Sequence, residues 1–150
     1  LGAGNGLISI SAAKHGAQVT ASDISELVVK TLKQNALDNN VSIQIIKSDL
    51  FNQIPKQTFD IIAINPPYYP KQARNDLEMA WYCGVNFEYF QALFSQIKDY
   101  MDTSSLVLMV LSDGCDIPKI TSIAKTNGLS FTLFHQQKIW WENEFIFRIQ

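Results

Sequence analysis

The nine residues Asp60-Ile61-Ile62-Ala63-Ile64-Asn65-Pro66-Pro67-Tyr68 constrain the fold of this chain more than any other stretch. The isoleucine-rich run after Asp60 is short, apolar and β-branched, the pattern of a strand buried on both faces. Pro66 and Pro67 donate no backbone hydrogen bond and force an extended path, so the strand has to end there. Strands of this kind belong to α/β sheets covered by helices, and in open α/β sheets ligands bind beyond the carboxyl ends of the strands. Asn65 is therefore expected at the lip of a crevice, with Tyr68 as a rigid wall beside it.

Such an end has a specific chemistry. The side-chain oxygen of Asn65 and the carbonyl of Pro66 are both acceptors, and Pro66 brings no competing N–H. Two fixed acceptors can hold a planar NH2 group by its hydrogens while Tyr68 stacks on its flat face. The blander reading is a Pro-Pro turn that only ends a strand, so the motif needs its structural context. Asn-Pro-Pro-Tyr after a hydrophobic strand resembles the catalytic motif of class I S-adenosylmethionine-dependent N-methyltransferases. Members of that group modify protein glutamine amides or adenine amines in nucleic acid. The resemblance implies Asn65, Pro66, Pro67 and Tyr68 as the catalytic set.

Earlier segments supply what a cofactor site requires. Leu1 to Gly6 is a glycine-rich turn leading into a helix from Leu7 to His15, closed by Gly16. Gly2, Ala3, Gly4 and Gly6 let backbone approach a ligand closely, with a helix N-terminus behind them. Such a loop normally follows a strand, which would lie before Leu1, so the chain reads as a fragment lacking its first strand. A glycine turn alone is a weak signal, and a flexible terminus is its bland reading. Gln18 to Ser22 is a short strand candidate with Asp23 and Ile24 directly after it. Asp23 stands about 20 positions beyond the turn, where such folds bind ribose hydroxyls. Its alternative role is a helix N-terminal acid, since Ser25 can cap a helix from Glu26 to about Asn39.

Val41 to Ile46 is the next strand candidate. By the resemblance, Asp49 after it binds the adenine amino group of the cofactor and Leu50 packs the ring, with Asn65 also belonging to the cofactor set. Asp49 could equally cap a turn. Tyr69 to Gly84 is a loop rich in charges and aromatics, long enough to be functional, and is expected to form a substrate lid. Asn86 can cap a helix through about Met101 with Phe87, Phe90, Phe94, Ile97 and Met101 as its core face. The order Glu78, Gly84, Phe90 resembles release-factor glutamine methyltransferases in particular.

Leu106 to Leu111 is another buried strand, and Asp116 and Pro118 suit the start of a helix ending at Gly128. Leu129 to Ile139 and Phe145 to Ile149 read as two strands linked by Trp140 to Glu144, an antiparallel hairpin of the kind that closes the resembled fold. Trp140 and Trp141 are expected to pack against the sheet end, with a role facing substrate as the alternative. His135 receives no role.

Bulk properties bound the answer. The 150 residues make one domain's worth of chain, 47% hydrophobic and 17% charged, and are read as a single catalytic domain. No apolar run approaches the roughly 20 residues of a membrane span. The net charge of −2 supplies no overall field for nucleic acid. Cys83 and Cys115 show no metal-ligand spacing with His15 or His135, so no metal is expected, and two lone cysteines fit a reducing cytoplasm.

The reading is thus an α/β, Rossmann-like methyltransferase sheet, mostly parallel with a C-terminal antiparallel hairpin, using S-adenosylmethionine. The favoured acceptor is a protein glutamine of the release-factor type; the alternative is N6 of adenine in RNA or DNA. A nicotinamide-dependent dehydrogenase would share the glycine turn and Asp23 but leave Asn65-Pro66-Pro67-Tyr68 unexplained. A non-catalytic nucleotide-binding module is the remaining rival.

Overall fold

A computed structural model describes residues 1–150 and divides into two compact units, Leu1–Pro55 and Lys56–Gln150. The first contains α1 (Leu7–Lys14), β1 (Thr20–Asp23), α2 (Glu26–Asp38) and β2 (Gln44–Lys47). Strands β1 and β2 pair in parallel, Thr20 opposite Gln44 and Asp23 opposite Lys47, with α2 as the crossover that a parallel pair requires. Ser25 starts α2 by accepting the Val28 N–H at 3.5 Å, and Val29, Leu32 and Ala36 form its buried stripe. The strand expected at Val41–Ile46 begins only at Gln44, because the Val41 N–H still closes the end of α2 on the Ala36 carbonyl at 3.1 Å. Likewise β1 starts at Thr20 and runs through Asp23, two residues later than the expected Gln18.

The second unit contains β3 (Ile61–Ile64), α3 (Glu88–Gln96), β4 (Leu106–Ser112), α4 (Ile117–Thr126), β5 (Phe131–Ile139) and β6 (Glu142–Ile149). Its sheet runs β3-β4-β6-β5, with β3 and β4 parallel and the two pairings of β6 antiparallel. The α/β sheet with a closing antiparallel hairpin is the one the sequence leads to. Val107, Met109 and Leu111 of β4 are fully buried, as are Phe90, Phe94, Ile97, Ile120, Ala124 and Ile149. Phe90, Phe94, Phe131 and Phe147 form a continuous aromatic chain with ring centroids 5.5–5.9 Å apart, within the range of favourable edge and tilted contacts.

Four local expectations change. Asn86 does not cap α3: Phe87 precedes the helix at φ 61°, and Glu88 folds back so that its carboxylate accepts the Asn86 N–H at 2.9 Å and side-chain N–H at 3.1 Å. The helix also stops at Gln96 and continues as a 3-10 turn over Ile97–Tyr100, so Met101 turns extended and half-buried while Tyr100 joins the core. The hairpin link shortens from five residues to Trp140 and Trp141, with Trp140 at φ 60°. Those two indoles do not pack against the sheet: they are 81% and 84% exposed, their rings edge-to-face at 5.7 Å. A two-residue hairpin turn stands beyond both strands and leaves its side chains nothing of the sheet to cover.

Candidate cofactor and acceptor sites

In the first unit, the glycine turn lies along the carboxyl end of β1. The Ala3 N–H donates to the Ser22 carbonyl at 2.9 Å, and the Gly4 N–H donates to the Asp23 carboxylate at 3.1 Å. The other Asp23 oxygen accepts the Ser25 N–H at 3.0 Å, and the Asp23 carbonyl accepts the Ser48 N–H at 2.9 Å. Asp23 therefore joins the glycine turn, the start of α2 and the segment carrying Asp49. Of the two roles read for Asp23 from sequence, the structure shows the bracing of the helix start; its carboxylate also has lone pairs left over.

The two central glycines differ. Gly6 is buried at φ 88°, and a Cβ there would collide with Leu32 Cδ1. Gly4, at φ 54°, would place a Cβ in open space. Gly6 thus serves helix packing, while the surface over Gly4 is free to receive a ligand. Asp49 and Ile24 are exposed. Leu50 is half-buried at φ 48°, unusual for a branched side chain, and is held by Ser48, whose hydroxyl donates to the Leu50 carbonyl at 2.7 Å and accepts the Gln53 N–H at 3.1 Å. Backbone held in a sparsely populated region by its surroundings is typical of functional positions. The turn, the open face of Gly4 and the two nearby carboxylates fit a nucleoside carrying a charged amino-acid tail.

In the second unit, Asn65 follows β3 directly, exposed, with its side chain committed to no other residue, while Pro66 behind it is buried. The amide is presented by a fixed backbone. Tyr68 is half-buried and its ring lies 4.8 Å from that of Tyr69. Burial first, and then Tyr69, Cys115 and Glu142, raise its phenol above the ordinary tyrosine value, so it stays neutral. Glu142 opens β6, and the register explains its presence: Ile64 is opposite Met109 in the parallel pair, and Ser112 is opposite Glu144. The tip carrying Trp140 and Trp141 therefore extends past the same end of the strands as Asn65 and Tyr68.

The loop after Tyr68, expected to form a substrate lid, carries its own hydrogen-bonded structure. Tyr69 and Tyr82 form a β-bridge; the Tyr69 N–H donates to the Trp81 carbonyl at 3.0 Å, the Cys83 N–H to the Tyr69 carbonyl at 2.9 Å and the Gly84 N–H to the Lys71 carbonyl at 3.1 Å. Arg74 and Glu78 close its far end at 2.7 Å. Between these strands lies a cleft of about 480 Å³ lined by Tyr69, Pro70, Lys71, Trp81 and Tyr82. This cleft was not foreseen from sequence; the signal was the aromatic density of Tyr68, Tyr69, Trp81 and Tyr82 at the two ends of one loop.

Residues 1–82 match the methyltransferase small domain family. A protein of Methanocaldococcus jannaschii, named provisionally a protein N5-glutamine methyltransferase, is 48% identical over 71 residues, covering 47% of this chain and 36% of its own. The release factor glutamine methyltransferase of Streptococcus pneumoniae is 35% identical over 121 residues, covering 79% of this chain and 40% of its own. This chain thus spans well under half the length of these relatives. Among solved structures, a methyltransferase from Pyrococcus furiosus superposes with a TM-score of 0.73 at 19% identity, over 99% of this chain and 71% of that one.

Proposed function

Since the chain belongs to the methyltransferase small domain family, we propose that it transfers a methyl group from S-adenosylmethionine to the side-chain amide nitrogen of a protein glutamine. The observation that carries this reading is Asn65, an uncommitted, exposed amide held by the buried Pro66 at the end of β3. That strand is buried on one face only, through Ile62 and Ile64, where the sequence led one to expect burial on both. The glutamine preference is supported by the release-factor relative, whose match extends through most of this chain.

S-adenosylmethionine, when bound, supplies a methyl group already activated for displacement on its sulfonium. Asp23 and Asp49 are the residues to hold its hydroxyls and adenine amine, Leu50 and Ile24 its ring, and Gly2, Ala3 and Gly4 its tail, with Gly6 keeping the turn packed on Leu32 of α2. Asn65 Oδ1 and the Pro66 carbonyl each accept one N–H of the target amide. An amide nitrogen is a poor nucleophile because its lone pair is delocalised into the carbonyl. Holding both hydrogens lets it leave that plane as positive charge develops, so the two acceptors bind the transition state more tightly than the ground state. Once the nitrogen–methyl bond has replaced the sulfur–methyl bond, one of the held protons is released to solvent. Pro67 keeps the pair rigid, and neutral Tyr68 stacks on the amide without adding a charge. Most of the acceleration then comes from orientation.

The test is transfer of labelled methyl by the full-length protein to purified release factors and, in parallel, to transfer RNA, ribosomal RNA and DNA. Label in glutamine is expected; label in N-methyladenine alone would move the acceptor to nucleic acid. Asn65→Ala should retain cofactor binding by calorimetry and lose about 10²-fold or more in kcat, the scale of one preorganised polar group. Wild-type turnover in that variant would end the amide-clamp mechanism.

A further inference from the structure

We infer that the cleft between Tyr69 and Tyr82 is a docking subsite for the polypeptide flanking the target glutamine, selecting a large apolar or aromatic side chain next to an acidic one. This deepens the proposed function and rests on it.

Position comes first. Tyr69 lines the cleft and its ring lies 4.8 Å from that of Tyr68, so the cleft is one residue away from the acceptor set. A chain whose glutamine reached Asn65 would lay its neighbouring residues here. The volume of about 480 Å³ lies within the roughly 300–1,000 Å³ of ordinary ligand pockets. Its walls are already joined by the backbone bonds of Tyr69, Lys71, Cys83 and Gly84, so little ordering cost remains on binding. The buried Cys83 thiol, with its pKa pushed by burial up to about 11, stays protonated and donates to the Tyr69 carbonyl at 3.3 Å, adding a further tie.

Chemistry comes second. Trp81 is 58% and Tyr69 41% exposed, a concentration of open aromatic surface that suits an apolar anchor. The Lys71 ammonium stands 5.3 Å from the centre of the Tyr82 ring and has no carboxylate in direct contact, although its charge adds a minor share to the lowering of the Glu78 carboxyl. Arg74, the loop's other cation, is already held by Glu78 through both its side chain and its own N–H. One cation with no carboxylate in direct contact is enough for a single carboxylate. A nucleic-acid backbone draws its affinity from several phosphate contacts, which this cleft does not offer. The observations therefore favour a peptide.

The experiment is calorimetry on the full-length protein with short synthetic peptides that carry one glutamine flanked by Glu-Phe, Lys-Phe or Glu-Gly. The Glu-Phe peptide should bind about tenfold more tightly than either of the others, on the scale of one charge-assisted contact. Lys71→Glu should invert the preference between Glu-Phe and Lys-Phe, and Trp81→Ala should erase the advantage of Phe over Gly. With a release factor as substrate, both variants should raise KM far more than they lower kcat. Equal affinities for all three peptides, or an order that survives Lys71→Glu, would overturn the subsite. Binding of a single-stranded RNA oligonucleotide that Trp81→Ala abolishes would also overturn it, giving the cleft to nucleobases. Because peptide binding is read without turnover, an absence of label in protein would count against the proposed function and leave this result standing.

Discussion

Gly4 and Gly6 stand two positions apart in one turn, both with positive φ, yet they call for opposite experiments. Gly6→Ala drives a methyl group into the fully buried Leu32 and strains the backbone as well, so it should cost about 1–3 kcal/mol, read as a lowered Tm. Gly4→Ala meets nothing within 4 Å, so its stability cost is limited to backbone strain, while the added methyl narrows the surface over which the cofactor would lie. Its affinity for S-adenosylmethionine should fall by more than that of Gly6→Ala measured below its own Tm. The reverse ranking would put the ligand elsewhere. Sequence spacing was enough to single out this turn and Asp23, because both follow from where β1 must end. It was not enough to divide labour between the glycines, since that depends on Leu32 packing back from a helix 26 residues further on. The left-handed backbone of Leu50 and Phe87 was equally unreadable, because neither residue type advertises positive φ.

At the scale of elements, the hairpin of β5 and β6 was legible as two strands, whereas its placement depends on how the strand is tied beside the turn. The Asp113 N–H donates to the Asn143 carbonyl at 3.0 Å, and the Asp113 carboxylate accepts the Asn143 backbone and side-chain N–H groups at 3.0 and 2.8 Å. The loop leaving β4 thus holds the start of β6, and with it Glu142 near Tyr68. These bonds, the backbone one first, keep the Asp113 carboxyl below its ordinary value. A carboxyl whose folded value is depressed adds stability above its unfolded value, near 4, and that contribution is lost as pH falls through the folded value. Amide exchange at Asn143 and Glu144, referred to that of the β4 core, should therefore accelerate as pH drops below about 4. Asp113→Ala should produce the same local opening at neutral pH. Unchanged protection in that variant would mean that strand pairing alone holds the hairpin. The internal order of the loop expected to form a lid was not legible either. Loop length and composition identify a functional loop, but the bridge between Tyr69 and Tyr82 joins residues whose partners no periodicity predicts.

Across the whole molecule, the aromatic residues sort by exposure in a way that the phenylalanines alone would not suggest. Phe90 and Phe94 are fully buried and build the core, whereas all three tryptophans, Trp81, Trp140 and Trp141, are 58%, 81% and 84% exposed. Large apolar groups left open beside a candidate site mark a surface meant to be covered by something else. They also set what an optical measurement can see. Indoles already in water emit at the long-wavelength end of their range, and unfolding has little further solvent to offer them. Intrinsic tryptophan fluorescence should thus follow denaturation poorly, lagging behind the loss of far-ultraviolet circular dichroism in amplitude. A bound polypeptide, by contrast, should shift the emission to shorter wavelength and shield it from acrylamide. The molecule's natural light is a gauge of occupancy, and a nearly blind one for folding.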